Sequence, residues 1–174
     1  MRVVLSLVCR PPGILASMIA LTQKAKYALK ALAHLARAYP DRAYPSPAGA
    51  APSPVLGARI AEQETIPRKF LEAILGDLKR HGYLQSRKGR GGGYWLARPP
   101  AQIHLGAVIR IFEGPLAPIP CVSKRYYAPC PDCRDEADCE VRRTMLEVKK
   151  AILNVLDRTS LEQMVERAGE PIEL

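Results

Sequence analysis

The sequence predicts a mainly α-helical fold: a body of short helices with one strand pair, then a long C-terminal helix. Three observations carry this reading. Apolar residues recur at helical spacing in several segments, most clearly 24–38, 68–80 and 141–155. Strand-like runs come as a single pair, on either side of a basic, glycine-rich stretch at 87–93. Aromatic residues are only 6% of the chain, so the core must be built from Ala, Leu, Ile and Val.

Residues 1–17 begin with Arg2 and a short apolar run that Arg10, Pro11 and Pro12 cut off. No small-x-small cleavage site closes the run, so a secretory leader does not fit. The segment reads as a disordered extension or a misassigned start, with Met18 as the first residue. Lys24 to Ala38 carries Ala28, Leu32, Leu35 and Ala36 on one stripe, an amphipathic helix. Residues 39–54 contain five prolines, which remove donors and fix φ, and read as a flexible insertion. A second helix follows over 56–63. Thr65 is expected to cap a third, with Pro67 near its first turn, and Gly82 ends it. Phe70, Leu71, Ile74, Leu75 and Leu78 are expected to form its buried face.

The strand-like runs are Tyr83 to Ser86 and Tyr94 to Ala97. Between them lie Arg87, Lys88, Gly89, Arg90 and Gly91 to Gly93, the tip of a β-hairpin. Glycine without a Cβ lets a backbone approach a phosphate closely. A nucleotide cradle would need GxGxxG between strand and helix, or a GKS/T ending, and neither is present. A short helix follows within 103–112. Gly114 to Cys139 is irregular. Val141, Met145, Val148, Ile152 and Val155 then repeat at 4, 3, 4, 3, an a/d stripe suited to a dimer helix. Ser160 with Gln163 is a capping-box signal for a last short helix.

Helix, helix-turn-helix, then a basic hairpin is a winged helix-turn-helix arrangement. The expected organisation is an extension over 1–17 and a DNA-binding domain over 18–100 with the insertion at 39–54. A linker helix and cysteine-rich loop occupy 101–140, and the dimerisation helix and C-terminal tail occupy 141–174.

Composition bounds the function. A chain of 174 residues with 48% apolar and 25% charged residues is a folded protein of one domain's length, or a small domain plus an appendage. No window approaches the roughly 20 apolar residues of a membrane-spanning helix. The net charge is +9. Residues 18–99 hold 14 Lys/Arg against 5 Asp/Glu, whereas residues 100–174 hold 10 against 12. A basic half joined to a near-neutral half suggests a polyanion-binding body with a second part doing another task.

Cys9 stands alone, while Cys121, Cys130, Cys133 and Cys139 fall within 19 residues. Four thiols bunched in one segment point to a metal or redox site rather than a secreted disulfide framework. Thiolates are soft ligands for iron–sulfur clusters and zinc. Structural zinc usually comes as two Cys-x2-Cys knuckles, and only one such pair exists here. A thiol–disulfide sensor without a cluster also fits four thiols. A dithiol enzyme built on Cys130-Pro-Asp-Cys133 would need a βαβ setting that is absent, so no enzyme is expected.

The blocks LTQKAKYALKALAHLA, IPRKFLEAILGDLKRHGYLQSRKGRGGGYWLARPP and IHLGAVIRIFEGPLAPIPC resemble the IscR/NsrR/RirA (Rrf-type) family of bacterial transcriptional regulators. The resemblance covers Leu21 to about Met164 apart from the proline-rich insertion. It implies a cytoplasmic homodimer that binds palindromic operators in double-stranded DNA, acting as a repressor. It puts Pro67, Arg68, Lys69, Phe70, Glu72 and Ala73 on the recognition helix, with Glu72 shaping base choice by its charge. Arg87, Lys88, Arg90, Gly91 and Gly92 fall on the wing, and Lys24 and Tyr27 at positions that touch the DNA backbone. Leu71, Ile74 and Leu75 are core.

The resemblance further implies an iron–sulfur cluster, 2Fe–2S or 4Fe–4S, held in the cysteine loop and sensing iron, redox state or nitric oxide. The family typically shows three cysteines and a fourth ligand, often a histidine shortly after the third. Here Arg142 stands three residues after Cys139, and Cys130 and Cys133 both fit the middle position. Zinc is the alternative metal, thiol–disulfide switching the alternative signal, and a cluster-carrying accessory protein the alternative function.

Overall fold

A computed structural model describes residues 21–38 and 53–169. The expectations for residues 1–17 and Met18, for Cys9, for nearly all of the proline-rich insertion, and for the last five residues lie outside them. Among the described residues, six helices and one hairpin follow in order: α1 (Gln23–Arg37), α2 (Gly57–Gln63), α3 (Arg68–Arg80), β1 (Leu84–Arg87), β2 (Gly93–Leu96), α4 (Leu105–Glu113), α5 (Glu140–Leu156) and α6 (Leu161–Glu166). Single 3₁₀ turns sit at Pro100–Gln102 and Pro120–Val122.

The start of α1 is fixed twice. Thr22 Oγ1 accepts from the Ala25 N–H. Thr22 also donates from its N–H and hydroxyl to Glu113 at 2.9 and 2.6 Å, which ties α1 to the end of α4. The stripe Ala28, Leu32, Leu35 and Ala36 is buried as its spacing predicts. It packs with Ile60 of α2 and with Leu71, Ile74, Leu75 and Leu78 of α3. Ile103, Val108 and Leu161 belong to the same core, so the body extends past residue 100 and takes in α4 and α6. The capping box at Ser160 and Gln163 is formed with both reciprocal bonds.

Three local expectations change. Thr65 does not cap α3: it sits at φ 55°, in the left-handed turn between α2 and α3, and Pro67 takes the N-cap position without a side-chain bond. Thr65 lies two residues before that cap, outside the position from which a side-chain oxygen accepts from the first-turn N–H groups. Phe70 is not in the buried face. It lies at the edge of the apolar stripe, where Leu71 and Ile74 fill the space against α1, and it remains 38% exposed. The strands shift by one residue, to an antiparallel pair with Leu84 opposite Leu96 and Arg87 opposite Gly93. Val55 adds a bridge on the far side, its N–H donating to Tyr94 O at 2.9 Å and its carbonyl accepting from the Tyr94 N–H at 2.8 Å. The wing is thereby held at its base by the segment that leads into α2.

α5 differs from every other helix of comparable length. None of its 17 residues is buried. Leu153 and Leu156 lean on the small cluster of Leu105, Ile109 and Leu116. Val141, Val148 and Val155, seven residues apart, are 62%, 38% and 59% exposed.

Candidate nucleic-acid interface and cysteine loop

α3 buries Leu71, Ile74, Leu75 and Leu78 and turns Arg68, Lys69, Phe70, Glu72 and Ala73 to solvent. Its outward face therefore carries two cations, a carboxylate, an aromatic ring and a methyl. The Phe70 ring stands edge-on to Tyr27 of α1, with centroids 5.8 Å apart at 81°. Lys26 lies over Tyr27 at 5.9 Å. Tyr27 thus braces the recognition helix from the side.

Lys24 places its ammonium 2.7 Å from Asp77 Oδ2 and 5.5 Å from the centre of the Phe112 ring. This bond holds the Asp77 carboxyl below its ordinary range, and Arg80 adds to the effect. Lys24 therefore clamps α1 to α3 at the same edge that Tyr27 supports. A second clamp lies at the turn of the helix-turn-helix. Glu64 receives Arg37 at 2.7 Å and His34 at 3.1 Å, and its carbonyl accepts from Lys30 at 2.7 Å.

The wing tip presents Arg87, Lys88 and Arg90, all exposed, with Gly91. Gly89 and Gly91 take positive φ of 91° and 74°, which turns the chain without a side chain at the tip. Gly92 is closed in by the backbone of Arg87 and Gly89, so it shapes the turn from inside. Arg87 donates to Gly91 O at 2.9 Å and stiffens the tip, while Lys88 and Arg90 have no protein partner among the described residues. Arg98 stacks over Tyr83 at 4.9 Å and donates to Gly82 O at 3.0 Å, fixing the base of the hairpin to the end of α3. Neither Arg98 nor Val55 is visible as a wing-positioning residue in the sequence, because each acts across a turn.

The four clustered cysteines are free thiols. Cys121 is buried in the 3₁₀ turn, at 8% exposure, while Cys130 is exposed. Cys139 is the N-cap of α5, its Sγ accepting from the Arg142 N–H at 3.4 Å. The Cys133 Sγ donates to Asp135 O at 3.4 Å; the Cys139 side chain first, then desolvation and the neighbouring Cys130 thiol, push its pKa up to about 11. The Cys133 N–H donates to Cys130 O at 3.3 Å, so Cys130 and Cys133 share one turn of the loop, with Cys139 as a neighbour. Among the described residues no three His, Cys, Asp or Glu side chains converge to hold a metal ion. The donor chemistry fits a thiolate-bound cluster or zinc.

The loop is anchored to α5 by cations. Lys149 donates to Val122 O at 2.6 Å, Arg142 Nε to Cys121 O at 3.5 Å, and Arg143 to Ala137 O at 3.0 Å. Arg142 also lies 3.5 Å from Glu136 Oε2. The residue in the place of a fourth ligand therefore binds loop carbonyls. The far end of α5 is tied to the body by Arg110 of α4, whose two nitrogens reach the Asp157 oxygens at 2.6 and 2.8 Å. The pair raises the Arg110 pKa and lowers that of Asp157. Gly106 makes room for it, since a Cβ there would collide with the Asp157 carboxylate.

No helix among the described residues is long and apolar enough to cross a membrane. Residues 21–167 match the model of the Rrf2 family, described as an iron-dependent transcriptional regulator. The chain is 41% identical over 151 residues to an rrf2-like HTH-type transcriptional regulator of Rhodobacter capsulatus, covering 87% of this chain and 95% of that one. It is 34% identical over 107 residues to the regulator NsrR of Geobacillus kaustophilus, covering 62% and 70%. Among solved structures it is similar to CymR, the global cysteine regulator of B. subtilis, with a TM-score of 0.65 at 25% identity over 84% of this chain and 96% of that one. It is also similar to IscR of T. potens, with a TM-score of 0.61 at 26% identity over 89% and 93%. With its recognition helix, its basic wing and a family match running almost from end to end of the described residues, the chain belongs to the Rrf2 family of winged-helix transcriptional regulators.

Proposed function

We propose that this regulator works in the cytoplasm as a homodimer that represses transcription from a palindromic operator, and that an iron–sulfur cluster in the cysteine loop sets its operator affinity. The observation that carries the reading is the physical link between loop and DNA-binding body. Cys139 caps α5, Lys149 and Arg142 hold the loop to α5, and Arg110 with Asp157 holds α5 to the body. A change in the loop has a continuous set of contacts through which to bias the body.

Cys121, Cys133 and Cys139 would hold the group, with Cys130 as the further thiol. An iron–sulfur cluster supplies a centre that responds to iron, oxidants and nitric oxide. Operator affinity shifts only if the loop's two states differ in their interactions with the DNA-competent body. On DNA, α3 enters the major groove and the wing approaches the minor groove. The exposed valines of α5 supply the seam for the second copy.

A second reading rests on Cys133 and Cys139 as free, neighbouring thiols of one loop. Loss of two protons and two electrons to a peroxide-class oxidant would join these thiols as a disulfide, in a regulator without a cluster. A CymR-like regulator named for cysteine control is compatible with this. Zinc on the same thiols is the remaining form. Anaerobically purified protein decides among them. Broad visible absorption with iron and sulfide present is expected. A colourless protein with one zinc per chain, or with titratable thiols and no metal, contradicts the cluster.

A further inference from the structure

Phe70 and Ala73 are apolar residues on an outward face otherwise occupied by Arg68, Lys69 and Glu72. Phe70 is 38% exposed, so over a third of it stays in water on this face, and Tyr27 braces it edge-on at 5.8 Å. Phe70 and Ala73, three apart on a helix, lie side by side. Gly76 continues the same side, and a Cβ there would meet nothing within 4 Å, so the helix surface beyond Ala73 is low and open.

Phenylalanine has no donor or acceptor. It can neither bind a phosphate nor read a base heteroatom. The apolar feature that the major groove offers is the 5-methyl group of thymine, and phenylalanine and alanine are suited to meet it. Resting on the DNA-binding reading above, we propose that Phe70, with Ala73 beside it, recognises a thymine in each half-site by its methyl group. Lys69 and Glu72 read the polar edges of the adjoining base pairs. Phe70 is thus a specificity-determining residue, and Tyr27 positions it.

The test needs the operator first, obtained by selection from a random-sequence duplex pool with the wild-type protein. Each thymine is then replaced in turn by deoxyuridine, which removes only the methyl. Burial of one such group corresponds to about a four-fold change in affinity. The wild type is expected to lose about four-fold at one thymine of each half-site. Phe70→Ala is expected to bind more weakly and to lose nothing further at that thymine, and Phe70→Leu to keep part of the methyl dependence. Ala73→Ser, which leaves the core untouched, is expected to reduce that dependence. Equal methyl dependence of wild type, Phe70→Ala and Ala73→Ser at every thymine overturns the proposal alone. A pool that yields no enriched sequence overturns the DNA-binding reading, and the proposal with it.

Discussion

The DNA-binding body and the α5 region solve the problem of apolar surface differently. The body closes on itself: α1 contributes seven buried residues and α3 four, and α2, α4 and α6 each add to the same interior. α5 is longer than either and buries none. Its valine row at 141, 148 and 155 faces outward, and its charged residues hold a loop rather than a core. A helix whose apolar stripe finds no cover in its own chain gets little stability from that chain, since packing rather than propensity holds most helices in proteins. The difference separates a part whose apolar surface closes within the chain from a helix whose valine row no described residue covers.

Damage to the body should be the most costly. Leu71 is fully enclosed, and Leu71→Ala should cost about 2–5 kcal/mol of unfolding free energy, read by denaturant titration. A loss below about 1 kcal/mol would mean that the core does not close around this side chain. Val148→Glu on α5 should instead turn a dimer into a monomer in analytical ultracentrifugation while far-UV dichroism of the body persists. Unfolding of the whole chain by that change would contradict the division between a self-sufficient body and a dependent helix.

Truncating Arg87, Lys88 and Arg90 to Ala should weaken binding to all duplexes. It should reduce the slope of log affinity against log salt by about 0.9 for each phosphate no longer neutralised. An unchanged slope would remove the wing from the interface. Gly106→Ala pushes a methyl against the Asp157 carboxylate, which must swing aside and loosen its pair with Arg110, and should cost at most about 1 kcal/mol. If this junction joins the regions, the same change should also blunt the response of DNA binding to the state of the loop.

The most modest effect is in acid. Lys24 and Arg80 hold Asp77 below its ordinary pKa. Its contribution to stability is full above about pH 4, the unfolded value, and is lost as pH falls through the lower folded value. Asp77→Asn should therefore flatten stability against pH below about pH 4 and leave its shape near neutrality unchanged.

The body is legible in the sequence because its helices satisfy themselves at short range. Ala28, Leu32, Leu35 and Ala36, or Leu71, Ile74, Leu75 and Leu78, show their burial by spacing alone. Spacing misplaces Phe70 because this residue sits one step off the stripe, where periodicity does not say whether a neighbour fills the space. Thr65 misleads because a hydroxyl before a helix looks like a cap, whereas here it occupies a left-handed turn. The junction of Arg110 and Asp157 spans 47 residues and leaves no local signal. In the loop, spacing identifies four thiols but not how they are placed, since that depends on how Lys149 and Arg142 hold the loop against α5.

If the state of the cysteine loop governs the DNA affinity of the body, the operator dissociation constant must follow that state. It should be measured anaerobically on one preparation before and after removal of the bound group, at fixed salt, with Cys139→Ala alongside. The expected result is a change of at least about ten-fold, a coupling of about 1.4 kcal/mol, that Cys139→Ala abolishes. Equal affinity in both states, with the wild-type sample shown to gain and lose the group, would contradict control of the body by the loop.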